Sequence, residues 1–235
     1  MRKLLLFVLY VAIVSKLKAH NPTTYISGNS LQDIESGDSL SKSKKSHQYS
    51  KGNLYLQISF PYVNEFRLKP DYESYKSNIG FLGISGGLDY FHKQKQFLNI
   101  SASGVMNFFL PFPAPVRFGG EREHMFSTFI SLSNNHKINC FNLGYGISYT
   151  SNTWNFIYHG IPDSSFPPTR DPAYRSNKAL GLIFPVHLEF PNGFHTGVIY
   201  RPTFFRFSEV QSIAYEHLIS LNFGFRIALY RRKQD

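Results

Sequence analysis

The stretch HLISLNFGFRIALYRRKQD, residues 217–235, alternates Ile219, Leu221, Phe223, Phe225, Ile227 and Leu229 with Ser220, Asn222, Gly224, Arg226 and Ala228. Successive side chains leave a β-strand on opposite sides, so a period of two means a strand with two unlike faces. A soluble sandwich and a membrane barrel both carry this pattern. The fold is decided by which face looks outward.

The same texture recurs upstream from Asn53. Eight strands are expected near 53–62, 77–91, 96–110, 124–133, 138–150, 178–190, 194–207 and 216–230. Their connections alternate in length. Those near 63–76, 111–123, 151–177 and 208–215 are mostly long, whereas 92–95 (HKQK), 134–137 (NNHK) and 191–193 (PNG) are short. Antiparallel hairpins with long loops at one end and tight turns at the other are the layout of a transmembrane barrel, and an even strand count puts both termini at the tight-turn end. Reading PNG as a three-residue loop with Gly193 left-handed pairs Phe190 with Phe194, Leu188 with Thr196 and Val186 with Val198, and sets Glu189 opposite His195. A two-residue loop flips one face.

The small face settles the orientation. In 138–150 it reads Cys140, Asn142, Gly144, Gly146, Ser148 and Thr150, against Phe141, Leu143, Tyr145, Ile147 and Tyr149. In 78–91 it reads Phe81, Gly83, Ser85, Gly87 and Asp89, against Leu82, Ile84, Leu88 and Tyr90. Glycine and serine make a poor soluble exterior but fit a crowded lumen. The expected fold is therefore all-β, an eight-stranded antiparallel up-and-down transmembrane β-barrel, with Phe141, Leu143, Tyr145, Ile147, Leu221, Phe223 and Phe225 facing lipid. Tyr62, Tyr90, Tyr149, Tyr200 and Tyr230 fall near strand ends, where tyrosines form interfacial girdles. The competing fold is a soluble lipocalin-like barrel with its apolar face inward.

The first residues agree with export. MRKLLLFVLYVAIVSKLKA has basic residues, an apolar run from Leu4 to Val14 and small residues near Ala19, the layout of a signal peptide. The run is too short to span a bilayer as a helix. The expected organisation is a signal peptide at 1–19, a flexible periplasmic segment rich in Ser and Lys at 20–52, a barrel at 53–230 and a basic tail at 231–235. Net charge is +10, of which residues 1–52 hold half. No basic helix or RNA-binding motif accompanies it, so nucleic acid is not an expected partner. Lipid headgroups are. A single cysteine, Cys140, excludes an intramolecular disulfide.

NFGFRIAL, residues 222–229, resembles the C-terminal assembly signal of bacterial outer-membrane β-barrel proteins, with Asn222, Gly224, Ile227 and Leu229 at its polar, glycine and two hydrophobic positions. The resemblance implies an outer-membrane location and recognition by the barrel-assembly machinery during insertion. Many members of that family end on an aromatic residue, whereas here Arg231 to Asp235 follow Tyr230.

An eight-stranded lumen is just wide enough to be filled by side chains, which argues against a general pore. Asp89, Glu189, His195 and Arg226 project into it near the tight-turn end, with Arg201 farther along, as a neutralised polar core. A structural or surface-binding role through the long loops is expected, with no ligand legible. One alternative is a lipid-modifying enzyme, with His124 and Ser127, or His159, Asp163 and Ser164, near the outer leaflet. Another is a non-catalytic accessory of an envelope complex. The histidines and the cysteine show no metal-ligand spacing, GISGG at 83–87 lies within a strand and is no phosphate loop, and no cofactor is expected.

Overall fold

The computed structural model describes residues 50–108, 120–159, 171–207, 210 and 213–231. The signal peptide at 1–19, nearly all of the 20–52 segment and the tail beyond Arg231 lie outside the described residues. Eight strands follow in chain order: β1 (Leu54–Leu68), β2 (Lys76–Lys93), β3 (Gln96–Phe108), β4 (Gly120–Ile138), β5 (Phe141–His159), β6 (Ala173–Glu189), β7 (Phe194–Arg206) and β8 (Ile213–Tyr230). Each pairs antiparallel with its sequence neighbours, and β8 closes on β1, giving a closed up-and-down barrel. Closure removes every sheet edge.

The tight turns lie at the same end of the barrel as the start of β1 and the end of β8. In the β6–β7 hairpin Val186 pairs with Val198, Leu188 with Thr196 and Glu189 with His195, and Gly193 takes φ 84°. Phe190 N donates to Phe194 O at 2.8 Å, which closes the three-residue loop. The β4–β5 turn differs from expectation. NNHK continues β4 to Ile138, and the chain reverses on Asn139 and Cys140, with Asn139 at φ 55°. Asparagine tolerates that left-handed conformation, which a two-residue hairpin demands. Cys140 is consequently an exposed turn residue and leaves the lumen face.

Most strands run farther toward the long connections than the alternation alone indicates, because their hydrophobic phase inverts. On β5, Tyr149 and Ile147 face out while Ser148 and Thr150 are buried inside; four residues on, Trp154 and Phe156 are buried inside and Ser151, Thr153 and Asn155 lie outside. On β1 the faces exchange through a bulge, the register against β8 shifting between Pro61 and Val63, so that Ile58 and Phe60 are exposed whereas Phe66 and Leu68, of the same parity, are buried inside and Arg67 is exposed. An outer apolar face suits hydrocarbon, and an inner one suits water. The inversion marks where the barrel leaves the bilayer.

Phe81 corrects a second expectation. A bulge, with Leu82 at φ 91°, shifts the β2–β3 register between Phe81 and Gly83. It sets Phe81 against Tyr62 on the exterior, 5.7 Å between rings, where strict alternation puts it in the lumen.

The exterior between the two ends is apolar. Ile84, Ile130 and Ile147 are each about 60% exposed, with Phe141, Leu143, Tyr145 and Phe225 on the same outer surface. Leu221 and Phe223 lie on it half-buried, Phe223 beneath Tyr62 at 6.5 Å between rings. Such a continuous belt exceeds what a soluble monomer exposes. It is a membrane-facing exterior, and the inside-out soluble alternative does not match it.

Candidate functional site

Parity sends Asp89, Glu189, His195 and Arg226 inward from β2, β6, β7 and β8, and all four are buried. Arg226 donates from Nε to Asp89 Oδ2 at 2.6 Å and from Nη1 to Glu189 Oε2 at 2.8 Å, and its guanidinium lies 4.7 Å over the Phe97 ring. One cation thus ties two acids from separate strands. Glu189 Oε2 also accepts from Lys137 Nζ at 2.8 Å and Asn142 Nδ2 at 2.7 Å. Asn99 donates to Asp89 Oδ1 at 2.6 Å and to Gln57 Oε1 at 2.9 Å, and Gln57 Nε2 reaches His195 Nε2 at 3.0 Å. His195 stands edge-on to His187, 5.2 Å between rings. Buried charges persist when they are paired and hydrogen-bonded, and this network supplies both.

Lys137, Gln57, Asn99 and Asn142 were absent from the expected cluster. The sequence pattern puts Lys137 in a turn; with the reversal at Asn139, its odd parity with Asn135 turns it inward. Beside the network, Tyr55, Phe91 and Phe97 close the tight-turn end of the lumen, with Phe91 and Phe97 stacked at 4.8 Å.

Arg201 stands apart, farther along the lumen as expected. It is buried, lies 4.8 Å over the Phe129 ring and, among the described residues, reaches the hydroxyls of Ser103 and Ser220, each at 3.4 Å. Among the described residues no carboxylate pairs with it. Between the two arginines lies a cavity of about 20 Å³, lined by Ser59, Ser85, Ser101, Ser133 and both guanidinium groups. That is room for about one water molecule.

Toward the long connections the lumen fills with Phe66, Leu68, Val105, Met125, Trp154 and Phe156. Within this layer Glu216 is fully buried, accepting from Lys69 N at 2.7 Å and Asn152 Nδ2 at 2.8 Å. Nearby Arg206 pairs with Asp71 at 2.7 Å. Sequence reasoning missed this second polar site, although the even parity that Glu216 shares with Ser220 signalled it.

His124 and Ser127 lie on opposite faces. His124 is exposed outside, while Ser127 is fully buried and donates to Asn152 Oδ1 at 2.7 Å. They form no catalytic pair. Asp163, Ser164 and the His159 side chain lie outside the described residues. Among the described residues no group of three or more potential ligands is placed to hold a metal ion.

Of the assembly-signal positions, Asn222 and Gly224 face the lumen and Ile227 and Leu229 the exterior of the closing strand. A Cβ on Gly224 lies 2.5 Å from Ser59 Cβ and 2.6 Å from Ile58 O, so close packing against β1 requires the glycine.

No protein-family model matches this chain, and no curated protein matches it. Among solved structures it is similar to Ail, the attachment invasion locus protein of Yersinia pestis, at 14% identity over 75% of this chain and 99% of that one, TM-score 0.47. It is similar to Neisserial surface protein A at 14% identity, covering 74% and 96%, TM-score 0.43. The outer membrane protein AlkL in lipid bilayers is similar at 9% identity, covering 88% and 100%, TM-score 0.34. These are likenesses of fold. Eight up-and-down strands, short turns at one end and an apolar exterior are the architecture of small bacterial outer-membrane β-barrels.

Proposed function

We propose that the protein is exported by its N-terminal signal and resides in the bacterial outer membrane as a closed barrel with a structural or surface-binding role. It acts through what it presents above the membrane, and its lumen is not a path for solutes. The observation that carries this reading is the filled lumen: the Arg226 network and Tyr55, Phe91 and Phe97 at one end, the Trp154 layer at the other, and a cavity of about 20 Å³ between them. The polar outer faces of β5 and β6, with Thr153, Asn155, Ser176 and Lys178, rise beyond the apolar belt and offer a rigid wall for recognition. The final strand is the segment that the barrel-assembly machinery reads during insertion.

Fractionation and conductance test the proposal together. The expected result is a heat-modifiable band recovered from outer membranes only with detergent, and no stepwise pore conductance in planar bilayers. Recovery as a detergent-free periplasmic monomer overturns the membrane assignment, and steady open-channel conductance overturns the closed lumen.

A further inference from the structure

The two ends of the barrel differ in charge. Around the long connections acids and bases interleave, as with Lys76 bonded to Glu123 at 2.8 Å and Arg206 bonded to Asp71 at 2.7 Å. At the tight-turn end the acids among the described residues are Asp89 and Glu189, both buried in the lumen network. The exposed charges there are Lys51, Lys93, Lys95 and Arg231, and Arg232 and Lys233 follow in sequence before the terminal Asp235. Solubility alone asks for mixed signs, so a collar of one sign points to a partner of the other.

The collar borders the apolar belt. Leu54 pairs with both Tyr90 and Tyr230, which places two exposed tyrosines at one level just above it. Between the β2–β3 turn and the β4–β5 turn the outer wall carries a groove of about 380 Å³. Lys95, Gln96 and His136 line its polar margin, and Ile138, Leu143 and Tyr145 its apolar wall. His136 is fixed between Gln96, 3.2 Å from its Nδ1, and the Tyr145 ring, stacked at 5.9 Å.

We infer that this collar and groove bind anionic phospholipid in the leaflet that meets the tight turns, with the headgroup phosphate against Lys95 and the neighbouring cations and an acyl chain along Ile138 and Leu143. The inference rests on the membrane reading above. Basic residues at a bilayer surface attract anionic headgroups over about a Debye length, and the collar stands within that reach. A cationic margin joined to an apolar wall matches an amphiphile in which charge and chain are covalently linked. A free anion has no use for the wall.

Spin-labelled lipid in phosphatidylcholine vesicles holding the full chain provides the test, after insertion has been checked by heat-modifiable migration. Labelled phosphatidylglycerol is expected to associate several-fold more strongly with the barrel than labelled phosphatidylcholine. Combining Lys93→Gln, Lys95→Gln and Arg231→Gln should bring the ratio close to one, as should high salt, while Arg67→Gln at the other end should leave it unchanged. Inorganic phosphate at matched ionic strength should displace the lipid no better than chloride. A wild-type ratio of one, a ratio unmoved by the triple variant, an equal loss in Arg67→Gln or selective displacement by phosphate each overturns the inference. Failure to insert at all overturns the membrane reading itself.

Discussion

Arg226 and Asp89 meet at 2.6 Å although β8 and β2 are not neighbours in the barrel and the residues stand 137 positions apart. The contact reaches past β1 and, through Glu189, on to β6. Arg226→Met removes the cation that Asp89 is paired with and leaves Glu189 to Lys137, and should cost about 3–5 kcal/mol. Arg201 has no acidic partner among the described residues, so Arg201→Met, which removes a buried charge without leaving an opposite one behind, should be neutral or stabilising. Urea unfolding of the two variants in vesicles separates them, and equal losses would refute the assigned pairing.

Glu189→Ala should lower stability by about 1–3 kcal/mol, because Lys137 and Asn142 lose their shared acceptor. Combining it with Lys137→Met should restore part of the loss. Strict additivity in the double-mutant cycle would show that the two side chains are not coupled.

The phase inversion on β5 makes two outward positions unequal. Ile147→Arg puts a cation against hydrocarbon, at a cost of roughly 2–4 kcal/mol near the midplane. Thr153→Arg, six residues on along the same face, should assemble almost normally. Ser220 on the lumen side should tolerate arginine poorly, since it is fully buried, donates to Asn64 Oδ1 at 2.7 Å and neighbours Arg201. The heat-modifiable fraction of each variant reads the outcome, and equal tolerance at 147 and 153 would remove the membrane boundary from between them.

Gly224→Leu tests whether this glycine serves packing as well as recognition. Overfilling the space beside Ser59 should impair refolding into pure lipid vesicles, where no assembly machinery is present. Normal refolding there, with failure only in cells, would assign the glycine to recognition alone.

Cys140 reports orientation. Being exposed in a tight turn, it should react with a bulky impermeant maleimide only after the outer membrane is permeabilised. Labelling of intact cells would invert the barrel.

Strand number, strand order, the β6–β7 register and the inward set around Arg226 were all legible, because each follows from a period of two counted from a recognisable turn. Errors arose where the count slipped or changed sign. Asn139 is a turn residue that looks like one more polar strand position, and misplacing it hid Lys137. The bulge at Leu82 adds a residue that no local composition announces, which moved Phe81 across the wall. Strand ends toward the long connections were read short because SNTWNF is apolar inward, the opposite phase from GISYT just before it. Contacts across the lumen, such as Arg226 to Asp89, depend on closure and shear and have no local signature.

The inversion of phase also fixes how deep the barrel sits. Sliding outward by one strand step exposes Ile147 and Tyr149 to water, and sliding inward drags Ser151 and Thr153 into hydrocarbon, so the protein has a vertical register as definite as any hairpin's. A helix meets a bilayer of the wrong thickness by tilting. A closed barrel with side chains of opposite character above and below one level has no such freedom, and the mismatch falls on the surrounding lipid, which must thin or thicken to meet it.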